Sequence, residues 1–296
     1  MRRTPTRLGA AVAMAALSAA CLCSCLVTSV PAPEGAGALR YRDEVFANVS
    51  TTSNLTYGSA PGLDGRPVEL RLDLFQPTGD RAAARPAVVY VHSGGFAGGD
   101  KGEGAPLMAR LVRRGFVAVS IDYRLLAPSG CDGGGLTPEC VNAVNGAVND
   151  TQAAVRWLRA NAARYRIDPN RIAVEGFSAG GVTVSAIGAR PSSPGRSGNP
   201  GPSSRVQAWV SIAGGLPGGA GLGAGDPPGY LFSGTADTTV PHQWSVDSAQ
   251  ALSDAGGYAA LRVQPGGGHD LPDQTMLAQQ TANFYYLHLK LGSAAR

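Results

Sequence analysis

The amino-acid sequence predicts an α/β domain in which helices cover both faces of a mostly parallel β-sheet. Strand-like and helix-like segments alternate from Tyr41 onward, which is the order that repeated βαβ units produce. Two of the strand-like segments, residues 87–92 (AVVYVH) and 116–123 (FVAVSIDY), are continuous apolar runs. Such runs are typical of parallel strands that are buried on both faces. In sheets of this kind ligands bind at the carboxyl ends of the strands, so the residues that follow each strand are the candidates for function.

The individual elements follow from the period of the apolar residues. Residues 68–75 (VELRLDLF) alternate between apolar and polar, as in a half-buried strand. Further strands are expected at 87–92, 116–123, 171–177, 206–214, 229–234 and 259–265, and helices at 104–114, 149–164, 179–189, 242–255 and 274–290. The helix at 149–164 is the clearest, because its apolar residues share one face and Asn149 or Asp150 can cap its start.

The composition describes a chain that can bury a large core. Hydrophobic residues make up 44% of the 296 residues and charged residues 16%, which argues against wholesale disorder. The formal net charge is +4, and three arginines near the amino terminus contribute most of it. The rest of the chain has no basic stripe with interleaved aromatic residues, so no nucleic-acid partner is expected.

The amino terminus has the pattern of an export signal. Arg2, Arg3 and Arg7 precede LGAAVAMAALSAA, an apolar run of 13 residues, which is too short for a membrane span and suits a signal peptide. Residues 1–25 are therefore assigned as a signal peptide in preference to a buried helix. Residues 26–40 are rich in Pro, Gly and Ala and are expected to form a flexible tether with no core to join. The remaining residues, 41–296, are expected to form a single folded domain.

Three cysteines cluster at the end of this signal. Leu22-Cys23-Ser24-Cys25 resembles a bacterial lipobox, which would make Cys25 the lipidated residue, and Cys21 is a second candidate. The alternative is simple cleavage near Val30-Pro31-Ala32. The three cysteines lie too close together for a zinc pair with partners elsewhere, so no metal is expected. Two locations stay open, a secreted protein and one anchored to the cell envelope by a lipid.

The two remaining cysteines are Cys131 and Cys140, nine positions apart in a Gly-rich segment. In an exported protein such a pair predicts a local disulfide that orders the segment, and two free thiols are the alternative.

The segment Gly176-Phe177-Ser178-Ala179-Gly180 joins a predicted strand to a predicted helix. A serine in this context lies on a turn so sharp that a side chain two residues to either side would clash with the strand or the helix. Gly176 and Gly180 satisfy that requirement. Ser178 is therefore the candidate nucleophile, exposed beyond the end of the sheet.

A serine hydroxyl needs a base to take its proton. Of the four histidines, His269 lies in a Gly-rich loop directly after the last predicted strand, whereas His242 and His288 lie on helices. We therefore select His269 as the base. Asp237 follows another predicted strand and is selected as the acid that orients the imidazole. Asp226, Asp247 and Asp270 are interpreted as surface acids.

The tetrahedral intermediate of acyl transfer also needs hydrogen-bond donors for its oxyanion. Gly94 and Gly95 follow the strand at 87–92, and their backbone N–H groups have no side chain that blocks approach. The N–H of Ala179, at the start of the next helix, is the natural third donor. An ordinary Gly-rich turn is the alternative interpretation of residues 94–95.

Together these motifs resemble the α/β-hydrolase superfamily, and within it the carboxylesterase and hormone-sensitive-lipase-like branch. The segments HSGGF, SIDYRLLAP, DPNRIAVEGFSAGG, GTADTTVP and GGGHD parallel that branch's motifs over roughly residues 68–290. The resemblance implies a mostly parallel eight-stranded sheet with residues 41–296 as the catalytic domain. It also implies a Ser178, Asp237 and His269 triad and a role for His92 in bracing the oxyanion loop.

Two departures from the family pattern have consequences. Ser93 stands where the family usually has the first glycine, which leaves the N–H groups of Gly94 and Gly95 intact. Only residues 216–228 separate two predicted strands where many relatives insert a helical cap. A minimal or absent cap is therefore expected, with an open cleft that the segment after Leu126 partly walls.

The sequence thus predicts a serine carboxylesterase that acts on small or accessible esters through an acyl-enzyme on Ser178, without a metal or other cofactor. A peptidase or an acyltransferase on the same fold shares this triad, because the triad does not encode the acyl acceptor. A binding protein that kept the fold without the activity is the alternative from another class. Lipid attachment at Cys25 or Cys21 would add a membrane as a partner.

Overall fold

The polypeptide forms one β-sheet flanked by helices. A computed structural model describes residues 29–131, 137–191, 193–270 and 272–293. The strands are β1 (Val49–Pro61), β2 (Pro67–Pro77), β3 (Arg85–Val91), β4 (Val117–Ile121), β5 (Ile167–Phe177), β6 (Ala208–Ile212), β7 (Gly229–Gly234) and β8 (Ala259–Gln264). The α-helices are α1 (Ala105–Arg113), α2 (Pro138–Ala160), α3 (Ala162–Tyr165), α4 (Ala179–Gly188), α5 (His242–Asp254) and α6 (Gln274–His288).

The eight strands are arranged in the order β1-β2-β4-β3-β5-β6-β7-β8. β1 and β2 pair antiparallel, as do β2 and β4, and every later pair from β4 to β8 is parallel. The predicted mostly parallel, eight-stranded sheet is therefore confirmed. Because β3 and β5 to β8 run in one direction, the loops that follow them all emerge at one edge.

Helices pack on both faces because the strands are apolar on both faces. Along β3, Val89 and Val91 join the cluster that contains α2, α4 and α5. The alternate residues Val88 and Tyr90 join a second cluster that contains α1 and α6. The continuous apolar run predicted for a doubly covered strand thus serves two cores, one on each side of the sheet.

β1 was not among the strands expected from the apolar pattern. Its sequence, VSTTSNLTYGSAP, is largely polar, and most of its residues are exposed. The strand forms at the edge of the sheet by antiparallel pairing with β2, and only a few of its side chains, chiefly Tyr57, reach the core. A pattern search based on hydrophobic period therefore misses it.

The helix expected from residue 149 begins earlier than predicted. α2 starts at Pro138, and the hydroxyl of Thr137 caps it by accepting a hydrogen bond from the N–H of Cys140. Asn149 and Asp150 are therefore not caps. Asp150 lies in the middle of α2, fully buried, where its carboxylate binds the guanidinium of Arg124. In the sequence alone, an acid before an apolar run resembles the cap of a helix. Only the position of its cationic partner shows that this acid lies inside the helix and does not cap it.

The expectation that residues 26–40 have no core to join is wrong at Val30. The Val30 side chain is buried in the cluster that contains α6. Its N–H donates to Gln280 Oε1 at 3.0 Å, and its carbonyl accepts from Asn283 Nδ2 at 3.2 Å. Residues 34–38, in contrast, are exposed. The segment is therefore attached to α6 before it reaches the domain at Tyr41.

The signal at residues 1–25 and the lipidation candidates Cys21 and Cys25 lie outside the described residues. None of the helices within the described ranges is long and apolar enough to cross a membrane.

The contact between Arg124 and Asp150 predicts a large loss of stability when the cation is removed. Arg124 donates from Nε and Nη2 to the buried carboxylate, and from Nη1 to the carbonyl of Pro61 at 2.9 Å. The substitution Arg124→Ala leaves a buried, unpaired charge, so the free energy of unfolding should fall by about 3–5 kcal/mol. Urea unfolding measures it. The control is Arg71→Ala, which breaks an exposed pair with Glu69 and should cost at most about 1 kcal/mol. Equal losses in the two variants would contradict this account.

Candidate active site

The turn between β5 and α4 places Ser178 at the carboxyl edge of the sheet. Ser178 has φ 57° and ψ −118°, a conformation that L-residues rarely adopt. A Cβ on Gly180 would lie 2.0 Å from the carbonyl oxygen of Val91, and one on Gly176 would lie 2.5 Å from the carbonyl of Gly180. Only glycine fits at either position. The close approach of α4 to β3 and β5 is therefore possible because of the two glycines predicted for this turn.

Three side chains that are distant in the sequence meet at this turn. His269 Nε2 lies 2.8 Å from Ser178 Oγ, and His269 Nδ1 lies 2.8 Å from Asp237 Oδ2. A carboxylate only accepts hydrogen bonds, so Nδ1 carries the proton and Nε2 has the lone pair that faces the serine hydroxyl. The arrangement can therefore accept a proton from Ser178 at Nε2.

Asp237 and His269 are each held in place by further contacts. The second carboxylate oxygen of Asp237 accepts the N–H groups of Thr239 and Val240, each at 2.9 Å. Asp237 is buried, so these bonds fix which oxygen faces the imidazole. The His269 ring stacks on Phe177, with centroids 5.3 Å apart. The ring therefore has one orientation over the end of the sheet.

The other histidines lie elsewhere. His242 is the first residue of α5 and contacts Ser233 Oγ through Nδ1 at 2.8 Å. His288, at the end of α6, packs against Tyr258 and Phe284, and burial lowers its pKa to about 4. Neither touches Ser178 in this structure.

The loop after β3 turns its carbonyl groups away from the cleft. The carbonyl of Ser93 accepts hydrogen bonds from His92 Nδ1 at 2.7 Å and from the Tyr123 hydroxyl at 3.2 Å. The carbonyl of Gly94 accepts from two backbone N–H groups at 3.0 Å, those of Ala97 and Gly98. In a trans peptide the N–H points opposite to the carbonyl. The N–H groups of Gly94 and Gly95 are therefore directed away from these contacts, and both residues line the same cleft as Ser178.

The side chain of His92 contacts this loop through the Ser93 carbonyl. Its ring stacks on Tyr123, with centroids 4.1 Å apart, and burial lowers its pKa. The neutral ring donates from Nδ1 to the Ser93 carbonyl, which only accepts. Gly99 packs so closely that a Cβ there would lie 2.6 Å from the ring.

Glu103 is a further contact of the loop that the sequence analysis missed. Its carboxylate accepts the backbone N–H of Ser93 at 3.1 Å, the Ser93 hydroxyl, and the Tyr90 hydroxyl at 2.9 Å. The signal in the sequence was Ser93 itself, because a hydroxyl in place of the family's glycine needs a hydrogen-bond partner. Glu103 provides that partner from the 3₁₀ helix at Lys101–Gly104.

The predicted disulfide and cleft wall are both present. Cys131 and Cys140 form a disulfide with Cα atoms 5.7 Å apart. The N–H of Cys131 donates to the carbonyl of Gly95 at 3.1 Å, so the disulfide-bonded segment contacts the loop directly. Residues 128–130 line one side of the cleft, which has a volume of about 420 Å³.

The expected absence of a helical cap concerns residues 213–228, all of which the structure describes. They contain one 3₁₀ helix, Pro217–Gly219, and no α-helix.

Ala179 begins α4 beside Ser178. The first N–H groups of a helix have no partner within the helix, so the Ala179 N–H is available as a hydrogen-bond donor.

In the described parts of the chain no cluster of three or more His, Cys, Asp or Glu side chains is arranged to hold a metal ion.

Comparison with known proteins agrees with this architecture. Residues 72–193 match the family model BD-FAE. Secreted lipase 5 of Gibberella zeae is 34% identical over 124 residues, which are 39% of this chain and 23% of that protein. Carboxylesterase NlhH of Mycobacterium tuberculosis is 39% identical over 103 residues, 34% of this chain and 28% of that protein. The chain therefore spans less than a third of the length of either relative.

Among solved structures, the propionate-bound esterase 2 of Thermogutta terrifontis superposes with a TM-score of 0.62 and 25% identity, over 81% of this chain and 92% of that one. A truncated carbohydrate esterase from gut microbiota superposes with a TM-score of 0.66 at 20% identity, over 88% of this chain and all of that one. The chain has the α/β-hydrolase fold, and the relatives that it resembles are named carboxylesterases and lipases.

A buried acid lies three residues before Ser178 and takes no part in the contacts above. Glu175 is fully buried in β5, where the Tyr285 hydroxyl donates to its Oε2 at 3.1 Å. Its Oε1 has no hydrogen-bond partner among the described residues. Burial raises the pKa of Glu175 to about 8, because the charged form loses its hydration.

This shift predicts a pH-dependent stability. In the unfolded chain Glu175 ionises near its ordinary pKa of about 4.3, whereas in the folded chain it stays protonated up to about pH 8. The free energy of unfolding should therefore fall as the pH rises between these values. Glu175→Gln removes this dependence, so its stability relative to the wild type should increase by up to about 4 kcal/mol between pH 5 and pH 8.

Urea unfolding at pH 5, 6.5 and 8 measures that difference. The exposed Glu69→Gln is the matched control and should show no such increase. A Glu175→Gln variant whose stability relative to the wild type is the same at pH 5 and pH 8 would refute the prediction.

Proposed function

We propose that this chain is a serine carboxylesterase with Ser178 as the nucleophile, His269 as the general base and Asp237 as the acid that orients it. The observation that carries the proposal is the continuous series of 2.8 Å contacts from Asp237 through His269 to Ser178. That series ends in a cleft lined by Gly94 and Gly95, so nucleophile, base and backbone donors face one volume.

In the first half of the reaction Ser178 Oγ attacks the ester carbonyl while His269 Nε2 takes the hydroxyl proton. The carbonyl π electrons move to oxygen and form an oxyanion. The N–H groups of Gly94, Gly95 and Ala179 stabilise that charge. The imidazolium, held by Asp237, then gives its proton to the leaving alkoxide, and the C–O bond of the ester breaks to release an alcohol.

In the second half a water molecule attacks the acyl-enzyme, and His269 Nε2 accepts its proton. The tetrahedral intermediate forms in the same oxyanion site. Its collapse returns the proton to Ser178 Oγ and releases a carboxylic acid, so the enzyme ends in its starting state. Apart from the substrate and this water molecule, the groups that take part belong to this chain.

The shape of the cleft favours ester substrates that enter it from the side where the helical cap is absent. The connection at residues 213–228 contains no helical cap, so the edge of the sheet beside Ser178 is not covered from that direction. The relatives and structural neighbours named above are lipases, carboxylesterases and other esterases. We therefore assign small or accessible carboxylic esters as the substrate class, ahead of peptides or transfer to another acceptor.

The domain limits and the location belong to the same proposal. Residues 41–296 are assigned as the catalytic domain and residues 1–25 as an export signal. The disulfide between Cys131 and Cys140 supports export, because disulfides persist mainly in oxidising compartments. Secretion and attachment through a lipid at Cys25 or Cys21 are the two forms that export can take.

The proposal predicts that Ser178→Ala abolishes ester hydrolysis in a folded protein. The variant has no nucleophile, so kcat/KM should fall by at least about 10⁴-fold. The assay measures hydrolysis of p-nitrophenyl esters from acetate to laurate by the full chain. Ser53→Ala, an exposed position in β1, is the matched control and should keep full activity. Unchanged hydrolysis by Ser178→Ala would refute the assigned nucleophile. A folded wild type that is inactive on every ester would instead favour a peptidase, an acyltransferase or a binding protein.

The contact of Cys131 with the oxyanion loop generates a separate prediction. Replacing both disulfide cysteines by serine releases the segment whose N–H holds the Gly95 carbonyl. The oxyanion donors should then be less well aligned, which lowers kcat by about tenfold, less than the complete loss of one donor. KM should change little, and a boronic acid that mimics the tetrahedral intermediate should bind more weakly by a similar factor.

Both measurements are made well below the unfolding temperature of the variant. A purely structural role of the disulfide would lower that temperature and leave kcat and boronic acid affinity as in the wild type, which would contradict the prediction.

A further inference from the structure

The carboxylate of Glu103 is attached at two points to a residue that lines the catalytic cleft. Ser93 lines the cleft together with Ser178, whereas Glu103 does not. The backbone N–H of Ser93 donates to Glu103 Oε1 at 3.1 Å, and the Ser93 hydroxyl donates to Oε2. Because the two bonds engage two different groups of Ser93, they fix the orientation of that residue as well as its position.

Glu103 is itself held firmly against the sheet. It belongs to the 3₁₀ helix Lys101–Gly104. A Cβ on Gly104 would lie 2.3 Å from the Tyr90 ring and 2.6 Å from Ser120 Oγ, so only glycine allows this helix to approach β3 and β4 so closely. The Tyr90 hydroxyl also donates to Glu103 Oε1, at 2.9 Å. The carboxylate is therefore a fixed support for Ser93.

The orientation of Ser93 governs the direction of a proposed oxyanion donor. The N–H of Gly94 belongs to the planar peptide unit that joins Ser93 to Gly94, and this unit turns with the ψ angle of Ser93. Its carbonyl accepts from His92 Nδ1 at 2.7 Å and from the Tyr123 hydroxyl at 3.2 Å. Glu103 holds the residue that precedes the unit. The Gly94 N–H is therefore directed by contacts at the carbonyl and at Ser93 together.

Ser93 does not serve as an oxyanion donor in its own right. A serine has two donors, the backbone N–H and the hydroxyl, and both are directed to Glu103. The contact between Ser93 and Glu103 therefore affects the reaction through the alignment of Gly94.

We propose that Glu103 is a positioning residue of the oxyanion loop, which acts through Ser93 to align the N–H of Gly94 with the developing oxyanion. This inference rests on the proposed function of the cleft and adds to it a residue that no sequence motif selected. Donors that are aligned before the reaction stabilise the oxyanion without reorganisation. Loss of the alignment therefore raises the energy of the transition state more than that of the bound ester.

The test compares Glu103→Met with Glu103→Gln. Methionine has a similar length and no comparable acceptor, so both donors of Ser93 lose their partner. The kcat for p-nitrophenyl acetate should fall by about tenfold, less than the roughly 10²- to 10³-fold loss that follows removal of a whole donor. KM should change by less than about twofold, because the ground state uses the alignment little. Phenylboronic acid, which forms a tetrahedral adduct with a serine hydroxyl, should bind about tenfold more weakly by the same reasoning.

Glu103→Gln is the conservative variant that should retain function. Its amide oxygen accepts the N–H of Ser93, and its amide N–H₂ donates to the Ser93 hydroxyl oxygen, so kcat should stay within about threefold of the wild type. A loss in Glu103→Gln as large as that in Glu103→Met would show that the negative charge matters rather than the alignment, and would overturn the proposal. A higher kcat in Glu103→Met would overturn it as well, because the carboxylate would then oppose the oxyanion.

The matched control is Glu44→Met. Glu44 accepts hydrogen bonds from Arg113 and Arg114, and none of these residues lines the cleft. This variant should lower the thermal unfolding midpoint and leave kcat and the affinity for phenylboronic acid unchanged. All measurements are made well below the midpoints. If Glu103→Met behaves like Glu44→Met, Glu103 only stabilises the fold and the proposal is wrong.

The failure of the proposed esterase function has a different signature. A folded wild type that hydrolyses no ester overturns that function whatever Glu103 does. Glu103 is then judged by phenylboronic acid in isothermal titration, because a serine peptidase or acyltransferase would form the same adduct at Ser178. The weaker binding by Glu103→Met is expected in that case too. Equal affinities in the two proteins, or no binding by the wild type, would overturn the positioning role.

Discussion

The close approach of α4 to the sheet is the constraint on which the rest of this molecule depends. The Gly180 Cα lies against the carbonyl of Val91 so closely that a single methyl group cannot be placed between them. That contact forces Ser178 into a left-handed turn and directs its hydroxyl beyond the sheet. It also brings the end of β3, and therefore the oxyanion loop, next to the start of α4. The proposed nucleophile and the proposed oxyanion donors are neighbours because of this packing.

The polar groups around the site are oriented by contacts that point away from it. Asp237 uses one oxygen for His269 and the other for two backbone N–H groups. The Ser93 carbonyl is bound by His92 and Tyr123, and the Gly94 carbonyl by two backbone N–H groups of the same loop, which leaves the N–H groups of Gly94 and Gly95 for the cleft. Such preorganised dipoles stabilise developing charge without reorganising during the reaction. The conformational entropy of the loop is lost when the protein folds and not during the reaction.

Much of the fold was predictable because most strands are buried on both faces. β2 to β8 are apolar enough to be recognised, whereas β1 is polar and depends on its partner strand. The start of α2 was misplaced for a related reason. Asp150 resembles a cap when only its neighbours in sequence are considered, but Arg124, 26 residues earlier, holds it inside the helix. The attachment of Val30 to the core was missed for the same kind of reason, because its partners Gln280 and Asn283 lie far along the chain on α6.

By itself the sequence determined the order of the elements from β2 onward, the glycines of the sharp turn and the residues selected for the triad. These depend on local chemistry, namely on periodicity, on backbone conformations that only glycine allows and on residues placed at strand ends. The tertiary structure decided which segments that are distant in the sequence meet. It produced the contact of Glu103 with Ser93, that of Cys131 with Gly95, and an apolar pocket beside α4. Hydrogen bonds and cavities of this kind depend on the separation of atoms in space, which sequence spacing does not specify.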